Sequence, residues 1–139
     1  NVGYFGAHVD KLNSFQLIVT DRSDVAAGDF DFEFNYDQIQ WETGDASGGS
    51  GGLGGTSAAA GWTNGAGQYF EFTGSRVNGA FLNAGPNALI SGSRNSQTAG
   101  QYIFSVRNGQ VVNPVPEPAT LALLGLGLAG LAARRRKTS

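Results

Sequence analysis

The clearest pattern along the chain is DFDFEFNYD, residues 29–37. In an extended strand it sets Phe30, Phe32, Phe34 and Tyr36 on one face and Asp29, Asp31, Glu33, Asn35 and Asp37 on the other. A helix would scatter both groups around its circumference, whereas a strand separates them completely. Residues 14–20 (SFQLIVT) place Phe15, Leu17 and Val19 together in the same way. Residues 69–73 (YFEFT), 79–83 (GAFLN) and 101–107 (QYIFSVR) predict three more strands, the last with Tyr102, Phe104 and Val106 facing inward. After Tyr36 the apolar positions move to Ile39 and Trp41, a change of parity that a regular strand does not allow. A bulge or tight turn is therefore expected near Asp37 and Gln38.

Between these runs the chain is polar or rich in glycine. Residues 21–28 read as a connection, Asn64 and Gly65 as a turn, and Asn108 and Gly109 as the close of the domain. Residues 44–61 (GDASGGSGGLGGTSAAAG) hold almost nothing able to anchor them, which predicts a mobile surface loop. No window in residues 1–110 carries a 3.6-residue period. The expected fold is all-β: one layered sheet or sandwich domain with Gly-rich loops over residues 1–110.

Beyond it the pattern changes. Residues 111–118 form a Pro-rich extended linker, since each proline disfavours helix at the residue before it. Residues 119–133 carry no charge and only Thr120 as a polar side chain, which predicts one short hydrophobic helix. At 1.5 Å per residue it is about 22 Å long, against a hydrocarbon core of about 30 Å. Snorkelling arginines or a thinner bilayer close that gap. Residues 134–139 are a basic tail, and Arg134, Arg135, Arg136 and Lys137 orient it towards the cytoplasm.

Composition sharpens this division. The net charge of −2 over 139 residues hides eleven acids against five bases in residues 1–118, and four bases in the tail. An acidic folded part argues against nucleic acid as a partner, because phosphate neutralisation needs clustered Lys and Arg. There is no cysteine, so disulfides and thiolate metal sites are excluded within these residues. The chain opens on Asn1 and runs directly into apolar residues, which reads as the middle of a strand with upstream sequence missing.

Val115, Pro116, Glu117 and Pro118, the apolar run 119–133 and the basic cluster 134–137 occur in one order. Together they resemble the PEP-CTERM sorting domain of Gram-negative bacteria, also labelled the ice-binding protein C-terminal domain. The resemblance implies export and a transient single-pass stage in the inner membrane. It further implies recognition of the Pro-Glu-Pro signal by an exosortase-type membrane transpeptidase, then release or display at the cell surface, often in bacteria that make exopolysaccharide. No regular threonine array supports ice binding in residues 1–110. Residues 1–5 (NVGYF), 11–19 (KLNSFQLIV), 31–41 (DFEFNYDQIQW), 61–65 (GWTNG) and 69–75 (YFEFTGS) are similar to successive blocks of the NIDO, or nidogen-like, extracellular domain. That family implies a module of adhesive or matrix proteins and supplies no catalytic residues.

Candidate chemistry is sparse. Residues 125–130 match GxGxxG, yet no strand precedes them and no acid follows at the distance a dinucleotide site needs. Gly125, Ala129 and Ala133 make a small-residue face suited to helix contact. His8 is the one histidine, with Asp10 and Ser14 near it in sequence, and three residues in one loop rarely converge as a triad. Asp29, Asp31, Glu33 and Asp37 read as a solvated acidic face, with calcium as the sharper alternative, although no loop turns them around an ion. Tyr4, Trp41, Trp62 and Tyr69 supply aromatic surface for core packing or for stacking on sugars. The expectation is a non-enzymatic surface or matrix protein without a cofactor. Its alternatives are a carbohydrate- or calcium-dependent adhesin, with exopolysaccharide or other surface proteins as partners, and the C-terminal piece of a larger secreted hydrolase.

Overall fold

The computed structural model describes residues 2–3 and 10–112, with side chains from residue 10 onward. Among the described residues the regular structure is nine strands and one 3-10 turn (Asp45–Ser47), and the main sheet draws on five of the strands. These are β1 (Val2–Gly3), β2 (Leu12–Asp21), β3 (Phe30–Gln38), β8 (Gln101–Arg107) and β9 (Gln110–Val112), adjacent in that order and antiparallel throughout. The crossover from β3 to β8 carries two small hairpins, β4 (Gly49–Ser50) with β5 (Leu53–Gly54), and β6 (Gly61–Thr63) with β7 (Tyr69–Glu71).

Register converts the period-2 pattern into a layer. Leu17, Phe34 and Tyr102 sit abreast on β2, β3 and β8, as do Val19, Phe32 and Phe104 one step along. Their face meets Ile39, Trp62, Phe70, Phe72, Phe81 and Leu89 from the crossover, and this is the core. Aromatic pairs dominate it: Phe32 stacks on Phe104 at 5.0 Å, and Phe72 meets Tyr102 edge-on at 4.6 Å and Phe70 at 4.9 Å. Such pairs contribute about 0.5–1.5 kcal/mol each beyond their buried area. The inward set of β8 is as expected, with Tyr102, Phe104 and Val106 all buried. The second layer is therefore a short hairpin and irregular chain, not a second full sheet.

The expected bulge is present. Ser14 pairs with Gln38 and Phe15 with Tyr36, so Asp37 is the extra residue on β3. That insertion turns Ile39 into the core while Tyr36 keeps its place on the same side.

Three expectations are corrected. Residues 79–83 form turns, not a strand, because their backbone groups are taken by other partners: Phe81 N–H donates to the Glu42 carboxylate, Asn83 N–H donates to the Ile39 carbonyl at 3.0 Å, and Ile39 N–H donates to Asn83 Oδ1 at 2.6 Å. Residues 44–61 are not a loose loop. The Gly52 carbonyl accepts from Glu42 and Thr43 N–H at 2.9 and 3.0 Å, Thr56 N–H donates to the Ser47 carbonyl at 3.0 Å, and Lys11 Nζ donates to the Gly51 carbonyl. Glycine is required there by space: a Cβ on Gly52, at φ +89°, would lie 2.6 Å from Trp41 Cβ. Finally, the Asn108 and Gly109 turn does not end the domain, since β9 pairs Val111 with Val106 and Val112 with Ser105.

Candidate functional site

The first acids of the run, Asp29 and Asp31, are neutralised from within the fold. Arg22 Nη1 donates to Asp31 Oδ2 at 2.8 Å, and Arg107 Nη2 lies 2.7 Å from Asp31 Oδ1. Arg22 also binds Asp24, while buried Asp29 accepts from Asn108 N–H at 2.8 Å. Burial of Asp31 works to raise its pKa, but hydrogen bonds from Ser105, Arg107 and Arg22 outweigh it and hold the carboxyl below its usual range. The Arg22 hydrogen bonds likewise lower Asp24. Farther along, Glu33 accepts from Asn35 at 3.0 Å and from Gln101 at 3.1 Å, and Asp37 stands apart in the bulge. The expected solvated acidic face is thus ion-paired at Asp29 and Asp31, held by amide groups at Glu33 and exposed at Asp37. Among the described residues no group of three or more His, Cys, Asp or Glu side chains is placed to hold a metal ion.

A second charged group went unnoticed in the sequence. Glu42 is 4% exposed, and its carboxylate accepts from Ser57 Oγ at 3.1 Å, Gly79 N–H at 2.5 Å and Phe81 N–H. It fastens the chain after β5 and the chain after β7 to the end of β3. A lone acid between Trp41 and the glycine-rich run was the only available signal.

The aromatic candidates separate. Trp62 packs edge-on against Phe32 and Phe104 at 6.1 and 5.8 Å, so it belongs to the core. Tyr69, 76% exposed, stands beside the Glu71–Arg76 ion pair on the outer side of the β6–β7 hairpin. Trp41 lines a different, apolar groove of about 450 Å³ with Phe15, Leu17, Phe34, Tyr36 and Ile39. A cleft of about 560 Å³ with mixed lining lies along the crossover among Phe72, Asn83, Asn87, Leu89, Arg94 and Tyr102, with Arg94 over the Phe70 ring at 4.8 Å. Tyr4 and His8 lie outside the described residues, as do the sorting residues Val115, Pro116, Glu117 and Pro118 and the cluster Arg134, Arg135, Arg136 and Lys137. The helix expected over 119–133 also lies outside them, and among the described residues no helix is long and apolar enough to cross a membrane. Asp10 is exposed and Ser14 lies in β2, while His8, the base that a triad with them would need, lies outside the described residues.

What these residues build is contact surface on an all-β module: an aromatic core, internally paired charges, two open clefts and an exposed tyrosine. The chain belongs to the nidogen-like domain family, whose model matches residues 1–108, and it carries a PEP-CTERM protein-sorting motif over residues 114–137. It is similar to the alpha-tectorin of Gallus gallus, 32% identical over 127 residues, covering 88% of this chain and 5% of that protein. The alpha-tectorins of Mus musculus and Homo sapiens are each 34% identical over 116 residues, covering 80% of this chain and 5% of theirs. The chain therefore corresponds to about one-twentieth of the length of these relatives. No solved structure matches it.

Proposed function

We propose that this chain is an exported bacterial surface or extracellular-matrix protein with an adhesive or structural role and no catalytic one. The observation that carries this reading is the joining of a nidogen-like domain, 1–108, to a sorting motif, 114–137. The linker with Val115, Pro116, Glu117 and Pro118 presents an extended strip to an exosortase-type transpeptidase. The apolar run 119–133 holds the chain in the inner membrane meanwhile, with the basic cluster 134–137 on the cytoplasmic side. Processing then displays or releases the β domain, as with other removable C-terminal signals. Fractionation of cells with and without the sorting enzyme tests it. The tail-bearing form should accumulate in the inner membrane of the deletion strain and a shorter form at the surface or in the medium of the parent. Intact, tail-bearing protein in the cytosol of both strains sinks the proposal.

The exposed Tyr69, in an open cleft of about 480 Å³ beside the Glu71–Arg76 ion pair, favours a carbohydrate ligand as a second reading. Calorimetry against the host's own exopolysaccharide decides it, and a flat trace removes it.

A further inference from the structure

The nidogen-like match ends at residue 108 and the sorting match begins at residue 114. Strand β9, Gln110–Val112, lies in the seam between them and outside both. The seam is nonetheless folded, with Gln110, Val111 and Val112 paired to Arg107, Val106 and Ser105. Its two sides are held unequally. Before the turn, Arg107 Nη2 lies 2.7 Å from Asp31 Oδ1 and Nη1 donates to the Phe30 carbonyl at 3.1 Å, while Asn108 N–H donates to buried Asp29 at 2.8 Å. After the turn, Val111 packs against the core and its N–H donates to Gln68 Oε1 at 3.1 Å. Gln110 is exposed, and so is Val112. A fixed turn thus carries a lightly held strand.

We infer that β9 regulates the sorting step: paired with β8 it withholds the motif from the transpeptidase, and processing goes through the state in which β9 has opened back to the turn. This rests on the sorting reading proposed above and adds to it a requirement of the fold. Three residue steps separate Val112 from Val115, about 11 Å at full extension. A domain of about 100 residues has a radius of gyration of about 13 Å, so the paired form sets its bulk directly beside the motif. An enzyme that takes an extended strip needs free chain on both sides of the residues it reads. With β9 open as far as Arg107, the free length becomes eight steps, about 28 Å. The opening costs little, because it gives up three residue pairs and the Val111 contact while the pairs of β3 with β8 stay. Where opening and closing are fast, the rate of processing follows the open population.

The chain has no cysteine, so an introduced pair of thiols reports alone. Val106 and Val111 are partners across the hairpin, and the Val111 N–H is turned to Gln68 instead of Val106. That marks a non-hydrogen-bonded pair, with Cα atoms about 4.5 Å apart, a spacing that a disulfide accepts. In cells that carry the sorting enzyme, the full chain with Val106→Cys and Val111→Cys should oxidise outside the inner membrane and keep its tail. Its shortening should be slowed on the order of tenfold or more, and added reductant should restore the wild-type rate. A control pair, Gln16→Cys with Asn35→Cys, joins β2 to β3 and should leave the rate unchanged. Val111→Ala, which trims the core contact of β9, should be shortened about fivefold faster. Equal rates for the oxidised, reduced and Val111→Ala chains overturn the proposal and leave the sorting reading intact. So does equal slowing by the control crosslink, the result expected if the whole sheet must come apart. A wild-type chain that keeps its tail overturns the sorting reading, and the role of β9 with it.

Discussion

Glu42 concentrates more of the fold in one side chain than any other described charge. Three donors from Ser57, Gly79 and Phe81 converge on its buried carboxylate, beside the backbone ties of Ala58 to Glu42 and of Asn83 to Ile39. Glu42→Ala leaves those donors facing apolar atoms and should cost about 3 kcal/mol or more in urea unfolding. Glu42→Gln keeps one acceptor but turns an amide N–H towards another donor, so a smaller loss of about 1–2 kcal/mol is expected. Tyr36 sets a different boundary. Burial, with a contribution from Tyr102, pushes its pKa up to about 12 from 10.0. A raised pKa in the folded state means that the neutral phenol stabilises the fold fully below pH 10. That stability is lost as pH rises from about 10 through 12, where only the unfolded chain releases the proton. Thermal midpoints recorded across that window should fall, and the Tyr36→Phe variant should show a shallower decline. At the acid end, lowered Asp31 and Asp24 give the opposite sign: their contribution is present above pH 4 and disappears as pH drops through their depressed values.

At the scale of elements, the Gly-rich segment 44–61 behaves as a fitted part. Gly52→Ala meets both a positive φ and the Trp41 side chain, and about 2–4 kcal/mol of destabilisation is expected. Gly65→Ala, at φ +69° with open space around it, should cost only about 1 kcal/mol. Equal melting points for the two variants would show that the segment is not held by Trp41. The contrast explains what the sequence could and could not express. Strands β2, β3, β7 and β8 were legible because alternation is written in side chains, and the bulge at Asp37 was legible as a change of parity. Glycine carries no side chain, so the backbone bonds of Gly52 to Glu42 and Thr43 left no trace in the pattern. Residues 79–83 failed for a related reason. Ala80 and Phe81 look like strand residues, yet the segment is held by Glu42, and by Ile39 through Asn83, from distant positions. The acidic face misled in the same way, since its countercharges, Arg22 and Arg107, sit on either side of it in space and far apart in sequence.

For the whole molecule, the charge division gives a measurable signature of processing. A cut beyond Pro118 removes the four bases of the tail and takes the net charge from −2 to about −6. Isoelectric focusing should therefore place the surface or shed form at a distinctly more acidic position than the membrane form. An unshifted band would mean that the basic cluster is retained. The β8–β9 hairpin has a mechanical consequence while the tail is still attached. Under the membrane attachment proposed above, a pull from the tail would meet β9, the last described strand, with its three residue pairs. Load applied there opens the ladder from Val112 and Ser105 towards the turn, one pair at a time, instead of shearing the six pairs between β3 and β8 together. The last strand thus works as a short ripcord: it lengthens the tether under tension while the aromatic core keeps its shape.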